Sequence, residues 1–154
     1  VAQALLKMGE EHTRVIYGDA SQDVVDLRLG YRSLADASFS QWPPTAVELE
    51  RAIDLSEEQL MLFTPPLRDA TLLTSDDILR RVLADATSES SQMVSMTTDG
   101  VEREFQRMAS VSLGRPLSHA GSVTNRNEAA ALLLLRELMH HWGVAGIALP
   151  AAHH

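Results

Sequence analysis

Apolar and polar positions along this chain fall into short blocks with two different periods. In Ala2–Met8 the adjacent Leu5 and Leu6 predict a short helix that buries both leucines and closes at Gly9. Thr13–Tyr17 is rich in strand-forming residues. Val25, Leu27, Leu29 and Tyr31 then alternate with Asp26, Arg28 and Gly30, the period of two expected of a strand with one wetted face. The turn-forming Gly18–Asp23 between these runs predicts a hairpin. A breaker region runs from Ser33 through Trp42-Pro43-Pro44. Thr45 and Glu48 then have the spacing of a capping box ahead of Val47, Leu49, Ile53 and Leu60, an amphipathic helix expected to end near Phe63, before Pro65 and Pro66.

The second half alternates in the same way without repeating sequence. Ala70–Leu73 reads as a strand, and Ser75 as the cap of a helix through Ala84 that packs Ile78, Leu79, Val82 and Leu83. Thr87–Ser91 is polar enough for a loop and Gln92–Thr97 suits a strand. Asp99 with Glu102 opens a helix carrying Val101, Phe105, Met108 and Val111. After the long loop Gly114–Thr124 comes the strongest pattern in the chain, Asn125–Trp142. Asn125 has the position of an N-cap with Glu128 three residues on, and Gly143 follows the last turn. Ala131, Leu132, Leu135, Leu138, Met139 and Trp142 share one face, and Leu133 and Leu134 flank it, so more than one neighbour must cover this helix. Val144–Leu149 is uncharged and apolar, as a strand covered on both faces would be.

Interleaved helices and strands favour an α+β fold: a single domain over residues 1–150, with a mixed or antiparallel sheet packed against about four helices around the Asn125–Trp142 core helix. A doubly wound α/β arrangement is the alternative. Residues 151–154, ending in His153 and His154, read as a tag remnant or disordered tail.

Composition removes several classes of chemistry. With 154 residues the chain is long enough to stand on a hydrophobic core without a metal or disulfide staple. It has no cysteine, which excludes thiolate zinc sites, iron–sulfur clusters and cysteine nucleophiles and suits a reducing cytoplasm. No apolar run reaches the length of a membrane span, and the first residues lack a signal-peptide pattern, so a soluble cytoplasmic protein is expected. A leader removed before Val1 would leave no trace. The formal charge of −8 argues against nucleic acid and anionic membranes. Lys7 is the one lysine among thirteen basic residues, and the arginines are scattered rather than striped.

Three constellations bear on chemistry. Glu137, His140 and His141 lie at metal-ligand spacing on one helix, yet no second Glu-x-x-His supplies the other half of a di-metal site; histidines in a last turn also suit the helix dipole, and no metal is expected. The loop Gly114–Thr124 feeds straight into a helix start, where free N–H groups favour an anion, and Arg115, His119, Asn125 and Arg126 are its candidate ligand-binding residues. It has neither the Walker spacing nor Gly-x-Gly-x-x-Gly. The third is the scattered set of Ser, His and Asp, which has no Gly-x-Ser-x-Gly elbow, no Ser-x-x-Lys and no His-Glu-x-x-His, while Asp76–Asp77 suit a first helical turn, Glu57–Glu58 a solvated face, and Glu10-Glu11-His12 a polar turn.

No catalytic residue set and no cofactor motif emerges. Small size, acidity and mixed elements resemble secretion chaperones in composition only. The expectation is a small binding or accessory protein that acts through self-association, most simply as a homodimer, or through a protein partner. The motive is the apolar surplus of the core helix. The alternative is a small enzyme or sensor binding an anionic metabolite at the Gly114–Arg126 loop, with His119 as acid or base and Arg115 or Arg126 as charge clamp.

Overall fold

Strict alternation of burial makes the first element a strand rather than the expected helix. In the computed structural model, which describes residues 2–18, 23–84, 88–89 and 93–150, Ala4, Leu6 and Met8 of β1 (Gln3–Met8) are buried while Gln3, Leu5 and Lys7 are exposed. A helix would turn Leu6 away from Ala4 and Met8 and leave part of this set in water. The backbone groups of β1 are met from both sides, antiparallel by β2 (Thr13–Tyr17) and parallel by β4 (Thr71–Leu73). The expected hairpin forms between β2 and β3 (Asp23–Leu27), with Val15 opposite Val25.

The alternation seen in the sequence carries the strand to Tyr31, but the structure ends it at Leu27. Tyr31 instead opens α1 (Tyr31–Ser38), a helix where a breaker region was expected from Ser33. Its first N–H groups find tertiary partners: Tyr31 N donates to the Gly9 carbonyl at 3.1 Å, and Arg32 N and Ser33 N to that of Glu10 at 2.9 and 3.0 Å. The β1–β2 turn lies so close that a Cβ on Gly30 would sit 2.2 Å from the Gly9 oxygen, so only glycine fits there.

The predicted capping box starts α2 (Ala46–Leu60): Glu48 N donates to Thr45 Oγ1 at 3.1 Å and Thr45 N to Glu48 Oε1 at 2.9 Å. The helix stops at Leu60, short of Phe63. Two other starts shift. Asp76, not Ser75, is the N-cap residue of α3 (Asp77–Val82), which also ends before Ala84. Thr97, not Asp99, caps α4 (Thr98–Ser112), its Oγ1 accepting from Gly100 N at 3.1 Å. Of the expected loop Thr87–Ser91, Ser88–Glu89 forms β5, while Thr87, Ser90, Ser91 and the neighbouring Gln92 lie outside the described residues, as does the tail 151–154. β6 is Met93–Thr97, α5 Arg126–His141 and β7 Gly146–Pro150.

The strands form one mixed sheet in the order β3-β2-β1-β4-β7-β6-β5. The central β1, β4 and β7 run parallel, and the flanking strands are antiparallel to their neighbours. This is the expected α+β fold, with five α-helices among the described residues. Packed against α1, α2, α3 and α4, α5 has every residue from Glu128 to Leu135 buried, as are Glu137, Leu138 and Met139. The chain itself therefore covers the apolar circumference that motivated self-association.

Candidate functional site

The carboxyl ends of the three parallel strands meet a cluster of helix starts. At the end of β1, the Gly9–His12 turn receives the N-terminus of α1. At the end of β4, Asp76 Oδ2 accepts Met8 N at 2.7 Å and Thr74 Oγ1 at 3.0 Å, which ties β1 to the segment entering α3. Arg80 of α3 donates to the Pro150 carbonyl at the end of β7. Beside these ends lies a cavity of about 360 Å³ lined by Tyr31, Trp42, Ile78, Arg81 and Asn125–Glu128.

The floor of the cavity is the first turn of α5. Asn125 Oδ1 accepts Glu128 N at 2.9 Å, as the capping spacing predicts, but the reciprocal half of the box is absent. Glu128 instead reaches back to Thr124, accepting from both its N and its Oγ1 at 2.9 Å, and takes Arg81 Nε on its other oxygen at 3.2 Å. Its carboxylate is buried, and these donors replace the water it has lost. Arg126 leans across to α1, donating Nη1 to the Phe39 carbonyl and Nη2 to Asp36 Oδ1 at 3.3 Å. Two guanidiniums against one carboxylate leave the lining side chains with one net positive charge.

Of the residues expected to form a site, Asn125 and Arg126 line this cavity. Arg115 and His119 do not; both are exposed, His119 on a 3-10 turn (Leu117–Ala120) that packs on α4. Sequence reasoning missed Tyr31, Trp42, Ile78 and Arg81. They come from α1, the loop after it and α3, and only the strand order brings them to α5.

Of the spacing Glu137, His140, His141, Glu137 alone is drawn into the packing. Arg136 grips Glu102 of α4 through Nε at 2.6 Å and Nη2 at 3.1 Å, donates Nη1 to Glu137 at 2.8 Å, and stacks 4.6 Å from the Phe105 ring centroid. Hydrogen bonds from Arg136 hold the Glu102 carboxyl below its ordinary range, and burial pushes Glu137 up despite Arg136. Both histidines are exposed at the helix end. Among the described residues, no group of three or more His, Asp or Glu is placed to hold a metal ion. Glu57 and Glu58 are exposed on α2, and in the Gly9–His12 turn Glu10 pairs with Arg32 at 2.9 Å. No helix among the described residues is long and apolar enough to cross a membrane.

No family model matches this chain, and no curated protein matches it by sequence. Its fold is nevertheless similar to solved structures over nearly its whole length. An Aquifex aeolicus PPX-GPPA enzyme superposes with a TM-score of 0.71 at 15% identity, over 96% of this chain and 52% of that one. The fold is that of about half of a Ppx/GppA enzyme. The type II variant of the Aquifex aeolicus Ppx/GppA phosphatase gives a TM-score of 0.69 at 14% identity, over 96% of this chain and 52% of that one. An exopolyphosphatase from Cytophaga hutchinsonii gives 0.65 at 11% identity, over 97% and 53%. The chain thus spans about half the length of the structures it matches. These neighbours overturn the reading as a non-catalytic accessory protein working through self-association or a protein partner, since they are enzymes and the apolar helix behind that reading is covered within the chain.

Proposed function

We propose that this chain is a phosphate-handling domain of the phosphatase type, and that it binds an anionic phosphate chain in the cavity at the start of α5. The observation that carries the proposal is the convergence of Arg81 and Arg126 on one helix start, beside the carboxyl ends of three parallel strands. Ligands of open sheets with parallel strands collect at that edge, and a helix start adds N–H donors suited to phosphate oxygens. The fold likeness supports the same reading, because the neighbours named above are a phosphatase and an exopolyphosphatase.

Phosphoryl transfer draws mainly on positioning and charge. Water adds to the terminal phosphorus and gives up a proton to solvent, the bridging P–O bond breaks, and the leaving phosphate takes up that bond's electron pair as negative charge. Arg126, anchored to α1, and Arg81, anchored by Glu128, are held in advance of any ligand, and cations fixed in this way stabilise such charge. Glu128 offsets one of the two charges and keeps the site from being indiscriminately cationic. Arg115 and His119 take no part in this proposal.

Inorganic tripolyphosphate tests it. Calorimetric titration at constant ionic strength should give saturable binding, and Arg81→Ala and Arg126→Ala should each weaken it about tenfold, the loss of one charge-assisted contact. Equal heat and stabilisation from chloride at that ionic strength, or undiminished binding in both variants, would remove the site. Release of phosphate from tripolyphosphate by the wild-type chain is the corresponding assay of turnover.

A further inference from the structure

A second cavity, of about 440 Å³, lies away from the α5 site, at the amino ends of β4 and β7 where β6 passes into α4. Thr71, Gly146 and Thr97 are cross-strand neighbours in register there, and Ser95 is two residues back on the same side of β6. Arg103 of α4 completes the lining, and among the described residues no acidic one belongs to it. Among the described residues the side chains of Thr71, Ser95 and Arg103 have no hydrogen-bond or ion-pair partner. Thr97 Oγ1 accepts from Gly100 N and keeps its own proton to donate. That bond already satisfies one N–H of the first turn of α4, so recognition would rest on the side chains and not on the helix start.

Glu102 is engaged by Arg136, and Asp99, in the first turn of α4, does not line the cavity. In a chain of net charge −8, a groove whose described lining joins one unpaired guanidinium to three hydroxyls and holds no acid is a local positive site.

We propose that this groove is a binding site for a small tetrahedral oxyanion, inorganic phosphate or the phosphate of a small phosphomonoester. A guanidinium takes two oxygens side by side, and hydroxyls arriving from β4 and β6 meet the others. A planar carboxylate offers its lone pairs in one plane and matches donors arriving from two strands and a helix less well than a tetrahedral anion does. The volume exceeds the needs of bare phosphate and leaves room for a short ester group. The site does not depend on the proposed phosphatase function.

The test is a phosphate titration of 15N-labelled protein at matched ionic strength, followed through the amide resonances of Gly100, Arg103 and Gly146. Saturable shifts at these amides are expected, with affinity falling at least tenfold in Arg103→Gln and staying within twofold in Arg126→Gln. Arg103 is exposed and unpaired, so its variant should keep the wild-type circular dichroism spectrum. Acetate at the same ionic strength should give no saturable shift. The proposal is overturned by linear shifts only, by shifts that survive in Arg103→Gln, or by acetate acting as phosphate does. Binding lost in Arg126→Gln but kept in Arg103→Gln would assign phosphate to the α5 cavity alone.

Discussion

Three glutamates of this chain respond in opposite ways to their surroundings. The Glu48 carboxyl is held at about 2, below an ordinary value of 4.5, because the backbone N–H groups of Thr45 and Ser40 and the Ser40 hydroxyl donate to its charged form. Its folded-state value is depressed, so its contribution is present above the ordinary carboxyl range and lost as pH falls toward 2. The melting-temperature difference between wild type and Glu48→Gln should therefore be full at pH 6 and shrink steadily between pH 5 and 2; a difference independent of pH would remove this account. Glu102 and Glu137 share Arg136 and should still answer with opposite signs. Arg136 lowers Glu102, whereas burial raises Glu137, so the charged form of Glu137 counts against the fold once pH passes the ordinary range. At pH 7, Glu102→Gln is expected to lower the melting temperature and Glu137→Gln to raise it, and changes of the same sign would contradict this division.

At the scale of elements, α5 was legible because it is long, capped and apolar almost throughout. Its cap at Asn125 and its stop at Gly143, where φ is +68°, are local features. Leu135 is fully buried, and Leu135→Ala should cost roughly 2–5 kcal/mol through lost transfer energy and the cavity left behind. Denaturant unfolding measures it, and a loss under about 0.5 kcal/mol would place that face in solvent. The short elements were not legible for the converse reason. Over the six residues of β1, two adjacent leucines obscured the alternation of Ala4, Leu6 and Met8. The start of α1 depends on carbonyls about twenty residues upstream, and no local pattern announces them.

Across the molecule as described, β7 closes the sheet. β7 stands between β4 and β6, near the centre of the sheet, although it is the last strand in sequence. Ile147, Ala148 and Leu149 are buried, and removing the strand exposes the backbone edges of two neighbours at once. A chain ending at Ala145 should lose its cooperative thermal transition by circular dichroism, whereas removal of 151–154 should leave the transition in place. A cooperative melt in the chain ending at Ala145 would show that β7 is dispensable. The same closure brings Tyr31, Ile78, Arg81 and the start of α5 to one cavity, from segments dozens of residues apart.

Through its periodicity and caps, the sequence by itself determined the class of the fold, the hairpin of β2 and β3, the starts of α2 and α5, and the buried character of α5. It also marked Asn125 and Arg126 at an anion-suited helix start, because capping and dipole effects act within a single turn. Only the tertiary structure decided that β1 is a strand, that α1 exists, and that Arg81 rather than Arg115 or His119 stands beside Arg126. Strand pairing and cavity lining depend on which distant segments become neighbours, and the energy that selects them is shared across a sheet whose partners lie as far apart as Thr71 and Gly146. The apolar surplus that pointed to a partner was real as a pattern. Whether another molecule or the chain itself covers it depends on packing, and here α1 to α4 do.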